Sequence, residues 1–166
     1  IYIYRGTRSK KVYIGQTMHF IERHKQHYNG TEEKFSTADF NKVIVIFSVY
    51  FNRSALDDVE SQLITYFMAD NSKKAGAVSF DHDDVINRTG GNSVNEYVGR
   101  ENVASDVILP LWEKELWPRG WVSSSTLEKL RTKELVKYSP IKQLTPEQGQ
   151  LITEIIHNPD RNYVIN

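Results

Sequence analysis

Apolar and polar positions alternate twice within the first fifteen residues. In IYIYR (1–5), Ile1 and Ile3 share one face and Tyr2 and Tyr4 the other; in KVYIG (11–15), Val12 and Ile14 oppose Tyr13 and Gly15. RGTRSK between them can turn, so the two runs predict a hairpin. Thr17 can cap a helix over 18–28 that Asn29-Gly30 ends. TEEKFSTAD (31–39) is polar and loop-like. KVIVIFSVYF (42–51) is a β-branched run that predicts a buried central strand. Ser54 is then expected to cap a helix over 55–69, with Leu56, Val59, Leu63, Ile64 and Phe67 at helical spacing. An exposed turn (71–77) and an irregular segment (79–92) closing on Gly90-Gly91 follow. The order β-β-α-β-α predicts a small α/β fold, a sheet flanked by helices.

The later pattern is helical. Residues 96–117 carry Val103, Val107, Ile108, Leu111 and Leu116 as a core stripe, with Pro110 expected to kink or break it. Trp112, Trp117 and Trp121 read as packing anchors. Ser125 is expected to cap a helix over 126–138, and Thr145-Pro146 to start another that runs to about His157. NYVIN (162–166) reads as a strand. The expected division is a first domain over 1–95, a helical connector over 96–138, and the start of a further domain over 139–166.

Composition narrows the class less than pattern does. The 166 residues hold 21 basic and 21 acidic side chains, with an isoelectric point of about 7.2, so the average does not announce a nucleic-acid binder. Locally, residues 1–28 set six Arg and Lys side chains against Glu22 alone, and residues 54–84 lean acidic. A basic end beside an acidic stretch suits an anionic ligand held with a metal. With no cysteine, disulfides, thiolate zinc sites and a Cys nucleophile are excluded. No apolar run approaches the roughly 20 residues that span a bilayer, and no signal peptide is visible, which fits a cytoplasmic setting. The Ile start and the strand-like end read as a piece of something longer.

The hairpin carries candidate chemistry. If the Ile and Val faces form the core, Tyr2 and Tyr13 emerge together, and Gly15 leaves room for a close approach beside them. Arg23 and His27, at i and i+4, share a helix face. Two phenols, a guanidinium and an imidazole would converge. His24 points off that face and reads as surface; His19 and His157 read as bland. Asp81-His82-Asp83-Asp84 reads as a solvated loop rather than a metal cluster.

These residues resemble a known family. Ile-Tyr, then Tyr-Ile-Gly eleven residues on, Arg ten residues after the second Tyr and His four after that, with Glu60 in VESQLI and Asn87 in VINRTGG, is similar to the GIY-YIG endonucleases over about residues 1–92. The resemblance implies Tyr2 as general base, Tyr13 as orienting water or phosphate, Arg23 as holding the phosphate, and Glu60 as ligand of a single Mg²⁺ or Mn²⁺. It further implies that His27 contacts phosphate or relays a proton, and that Asn87, with Asn71 and Asn92 as competitors, supports the site. Gly15, Gln16, Lys10, Lys11 and Lys25 are the expected nucleic-acid contacts. Gln16 stands where UvrC-like relatives carry a lysine that lowers the tyrosine pKa, so Lys11 or Lys25 would have to compensate. An ordinary phenol, with a pKa of about 10, needs such help to act as a base near neutrality. An alkaline optimum is therefore expected.

YSPIKQLTPEQGQLITEIIHNPDRNYVIN (138–166) resembles the entry to a helicase-type P-loop ATPase, with Gln148 after Leu-Thr-Pro as its adenine-reading glutamine. Such a nuclease–ATPase arrangement occurs in bacterial multidomain proteins. Together the resemblances imply a divalent-metal-dependent DNA endonuclease joined to a motor domain, in repair, mobile-element biology or phage defence. The alternative is a catalytically silent module that docks nucleic acid for that motor.

Overall fold

A computed structural model describes residues 1–29, 35, 39–70, 85, 97–133 and 136. Three strands form one antiparallel sheet in the order β2-β1-β3, with β1 Tyr2–Arg5, β2 Val12–Gly15 and β3 Lys42–Val45. Helix α1, Phe20–Asn29, joins β2 to the segment before β3, and α2, Arg53–Ala69, follows β3. The expected α/β class and β-β-α-β-α order are present. A helical region follows.

Alternation gives the sheet two dissimilar faces. Ile1, Ile3, Val12 and Ile14 are buried in one cluster with Leu56, Val59, Leu63, Ile64 and Phe67 of α2. Tyr2, Tyr4 and Tyr13 occupy the opposite face with Phe35 and Phe40, and Phe20 of α1 packs on them. The aliphatic side continues into the helical region, where Val103, Ile108, Leu111, Trp112, Leu116 and Leu127 join the same cluster. At about 1.5–3 kcal/mol for each large side chain taken from water, this face holds most of the hydrophobic stabilisation.

Several sequence expectations are corrected. The run KVIVIFSVYF is not the central strand: only Lys42–Val45 pairs as a strand, at the sheet edge, and Phe47 and Val49 beyond it are 82% and 94% exposed. β1 takes the centre because its isoleucine and tyrosine faces can both be buried, and both its edges are paired. Asn52, not Ser54, caps α2, its Oδ1 accepting from Ala55 N at 2.9 Å. Ser125 does not cap the last described helix, α4 (Leu127–Arg131); Thr126 is at that position, and Ser125 Oγ meets Lys129 Nζ at 3.1 Å.

Pro110 does not break its helix. Helix α3, Arg100–Asn102, runs into two π-helical stretches, Val103–Ile108 and Leu111–Leu116, and Pro110 itself is helical at φ −63°, ψ −39°. A proline ring clashes with the carbonyl four residues back in an α-helix. Wider turns avoid that carbonyl: Leu109 N bonds Ala104 O, and Trp117 N bonds Trp112 O at 3.0 Å. Trp112 and Trp121 are core residues as expected, whereas Trp117 is 47% exposed.

Buried polar residues tie the helical region to the sheet and α2. Asp70, at the end of α2, has no exposed surface and accepts from Ser123 Oγ and Ser124 N, each at 2.8 Å. Buried Asp58 accepts from Tyr97 OH at 2.7 Å and from Gln62 at 2.9 Å. Arg5, also buried, donates to Trp121 O and lies over its ring. Three charges from the apparent basic and acidic blocks are thus structural.

The expectations for Asn71, Asp81–Asp84, Asn87, Gly90-Gly91, Asn92, residues 139–166 with Gln148, and the 162–166 strand lie outside the described residues. Among the described residues no helix is long and apolar enough to cross a membrane.

Candidate active site

The tyrosine face is built by cross-strand register. Tyr2 pairs with Gly15 and Tyr4 with Tyr13. A Cβ on Gly15 would lie 2.4 Å from the Tyr2 ring, so the glycine leaves space for that phenol. The close approach at Gly15 comes from the partner strand's own tyrosine. Tyr2 and Tyr13 lie nearly parallel, with centroids 6.2 Å apart and planes 17° from each other.

α1 lies over these rings through Phe20, Arg23, His24 and His27. The Tyr2 hydroxyl and His27 Nε2 are hydrogen-bonded at 3.0 Å, with both residues 1% exposed. The His27 ring stacks on Phe35 at 4.1 Å and 9°. Arg23 is half-buried and close enough to Tyr2 and Tyr13 to act on both phenols, and its Nη1 donates to Gln26 Oε1 at 3.1 Å. A second pair repeats the pattern two residues along: Tyr4 OH and His24 Nδ1 are 2.6 Å apart. His24 is therefore half-buried against Tyr4, not a surface residue.

Glu60 enters from α2, partly buried. Burial first, and then the charge of Asp57 one helical turn earlier, push its carboxyl up to about 7, while Arg23 pulls the other way. Asp57 accepts from Gln16 Nε2 at 3.0 Å, so the residue after Gly15 steers a carboxylate. Tyr2 responds to its surroundings in the opposite sense to the sequence expectation. Burial raises its pKa well above the usual phenol value; the Arg23 hydrogen bond lowers it, but by less. Tyr4 is raised to about 12, chiefly by burial. A free phenolate at Tyr2 is disfavoured in this state.

The structure brings together Tyr2, Tyr13, Gly15, Arg23, His27 and, through mutual charge effects, Glu60. It does not bring the lysines there. Lys10 and Lys11 sit at the hairpin turn, beyond the Arg5–Val12 pair, whereas Tyr2 faces Gly15 at the other end. About four residues of strand, on the order of 13 Å, separate them. Lys25 is exposed on α1.

Residues 1–74 match the family model of the GIY-YIG catalytic domain. No curated protein and no solved structure matches the chain. The GIY-YIG domain is a nuclease domain, and its sheet, α1 and α2 are the elements that carry the residues above. Asn87 lies past the matched residues.

Sequence reasoning missed three members of this site. Phe35 was lost in a stretch read as polar loop, although one aromatic among polar residues was the available signal. His24 repeats, with Tyr4, the relation of His27 to Tyr2. The Gln16–Asp57 bond joins residues 41 apart and has no local signature.

Proposed function

We propose that this domain is a divalent-metal-dependent endonuclease that hydrolyses DNA phosphodiester bonds, leaving 5′-phosphate and 3′-hydroxyl ends. The observation that carries the reading is the hydrogen bond between Tyr2 and His27 at 3.0 Å, with Arg23 close enough to act on Tyr2 and Tyr13.

A Tyr2 phenol that donates its own proton to His27 Nε2 leaves a lone pair to accept another. The buried Tyr2 therefore need not ionise before reaction. As water attacks phosphorus, its proton passes to the Tyr2 oxygen and the Tyr2 proton to His27, which becomes imidazolium. The 3′ oxygen leaves and takes a proton from solvent. The Arg23 fork faces the charge that builds on the phosphoryl oxygens. Tyr13 holds Arg23 and the phosphate in line, and Lys10, Lys11 and Lys25 contact backbone phosphates away from the cut.

Glu60 would hold the Mg²⁺ or Mn²⁺. Its carboxylate oxygens are of the kind a hard divalent cation takes, and Asp57 stands one helical turn earlier on the same helix. One carboxylate is enough where waters and substrate phosphate complete the shell. When bound, the ion supplies Lewis-acid stabilisation of the leaving oxygen. The joining of this domain to a P-loop ATPase rests on residues 138–166 alone, and ATP binding by a chain that includes the Walker A glycines tests it.

The nuclease reading is tested by cleavage of end-labelled DNA with Mg²⁺ or Mn²⁺. Metal-dependent cutting that Tyr2→Phe and Glu60→Ala both abolish is expected. DNA binding without cutting on any substrate would favour the docking module instead.

A further inference from the structure

We propose that the cleft at the open end of the sheet receives one unstacked nucleobase beside the phosphate that is cut, so that the domain prefers strands with an unpaired base there over continuous duplex. This rests on the nuclease reading above and adds its substrate class.

The cleft has a volume of about 170 Å³ and lies between the turn after β2 and the segment after β3. Tyr2 forms part of its wall and is otherwise buried. Leu56 lines it one helical turn before Glu60, on the same stripe of α2. The cleft therefore reaches Tyr2 of the proton-transfer pair, and its wall on α2 lies one helical turn from the proposed metal ligand.

Its lining suits a base. Met18, Phe20, Phe47 and Phe51 supply apolar and aromatic surface, while the hydroxyls of Thr17 and Ser48 offer polar partners. At the rim, Phe47 is 82% and Met18 70% exposed. Two large apolar side chains held in water around a cleft mark a surface that is covered in use. A nucleobase offers a flat apolar face and a polar edge, and stacking on aromatic side chains is the general means of holding single-stranded nucleic acid. The cleft is sized for one ring system, not for a duplex. A paired base would first have to leave its stack, at a cost that is least where the base is already unpaired.

The test uses the full chain and three oligonucleotides: a matched duplex, the same duplex with one unpaired nucleotide, and the single strand. Wild type, Phe47→Ala and Phe47→Tyr are compared, and Phe47 is exposed enough that its replacement leaves the core intact. The expected result is a kcat/KM at least about tenfold higher on the unpaired substrates. That ratio collapses in Phe47→Ala and is kept in Phe47→Tyr. A second readout needs no cleavage: 2-aminopurine at the unpaired position is quenched when wild type binds without metal, and not with Phe47→Ala. Equal cutting of all three substrates, with no Phe47-dependent quenching, overturns the base site and leaves the nuclease standing. Phe47-dependent quenching with no cutting anywhere keeps the base site and removes the nuclease. Neither signal removes both.

Discussion

The two faces of one three-stranded sheet follow different rules. The aliphatic face is a conventional core: isoleucine and valine against the leucine-rich side of α2, extended by Trp112 and its neighbours. The aromatic face is also buried, but among its phenylalanines it sets phenols that carry polar partners, Tyr2 with His27 and Tyr4 with His24, and Arg23 close enough to act on Tyr2 and Tyr13. Phenols and imidazoles are a costly way to fill space, since each buried hydroxyl needs its hydrogen bond. Alternation along four-residue strands lets one short segment serve both ends, with stability on one side and chemistry on the other.

That division is sharpest in its expected failures. Arg23→Ala should reduce cleavage by about a thousandfold or more, while the protein unfolds at nearly the same denaturant concentration. Leu63→Ala should do the reverse, costing about 2–5 kcal/mol in denaturant unfolding with the surviving folded fraction still active. If Arg23→Ala unfolds the protein, or Leu63→Ala selectively silences it, the two faces are not separate in role.

Gly15→Ala tests where the faces meet. The added methyl would lie 2.4 Å from the Tyr2 ring, so the ring or the strand must move. An overpacking cost of about 1–3 kcal/mol is expected, with a loss of activity out of proportion to it, because the displaced ring belongs to the Tyr2–His27 pair. Thermal melts read beside cleavage rates separate the two effects.

A smaller effect concerns Glu60 in the metal-free protein. Its folded pKa, about 7, lies above the ordinary 4.5, so the folded chain keeps a proton that the unfolded chain releases. Stability should therefore fall as pH rises from 4.5 through 7 and level off above that. Because the carboxyl is partly open to solvent, the drop is expected to be only about 1 kcal/mol. Glu60→Gln should flatten this part of the profile and make the metal-free protein slightly more stable at pH 8, while ending cleavage. An unchanged slope in urea titrations at pH 5 and 8 would mean that the carboxyl is not the source.

The hairpin and both long helices were legible because their patterns are local. Alternation in residues 1–15 separated the two faces correctly, and spacing along one helix paired Arg23 with His27. What escaped depended on contacts distant in sequence. The β-branched run at 42–51 looks like a central strand, but strand order is decided by which strand can bury both faces, and β1 has that property. Asp58, Asp70 and Arg5 belong in sequence to the acidic and basic stretches that suggested an anionic ligand and a metal, yet each is buried against a residue beyond position 96. Tyr2 seemed to require a lowered pKa. Its burial does the opposite, and His27 at hydrogen-bond distance offers another route for the proton.

The most direct test of that route is single-turnover cleavage by Tyr2→Phe, His27→Gln and the double variant, with the Mg²⁺ concentration saturating. If one proton passes through both groups, either single substitution removes the step and the double variant is little worse than the poorer single. If the two losses multiply, Tyr2 and His27 act independently and the relay is wrong.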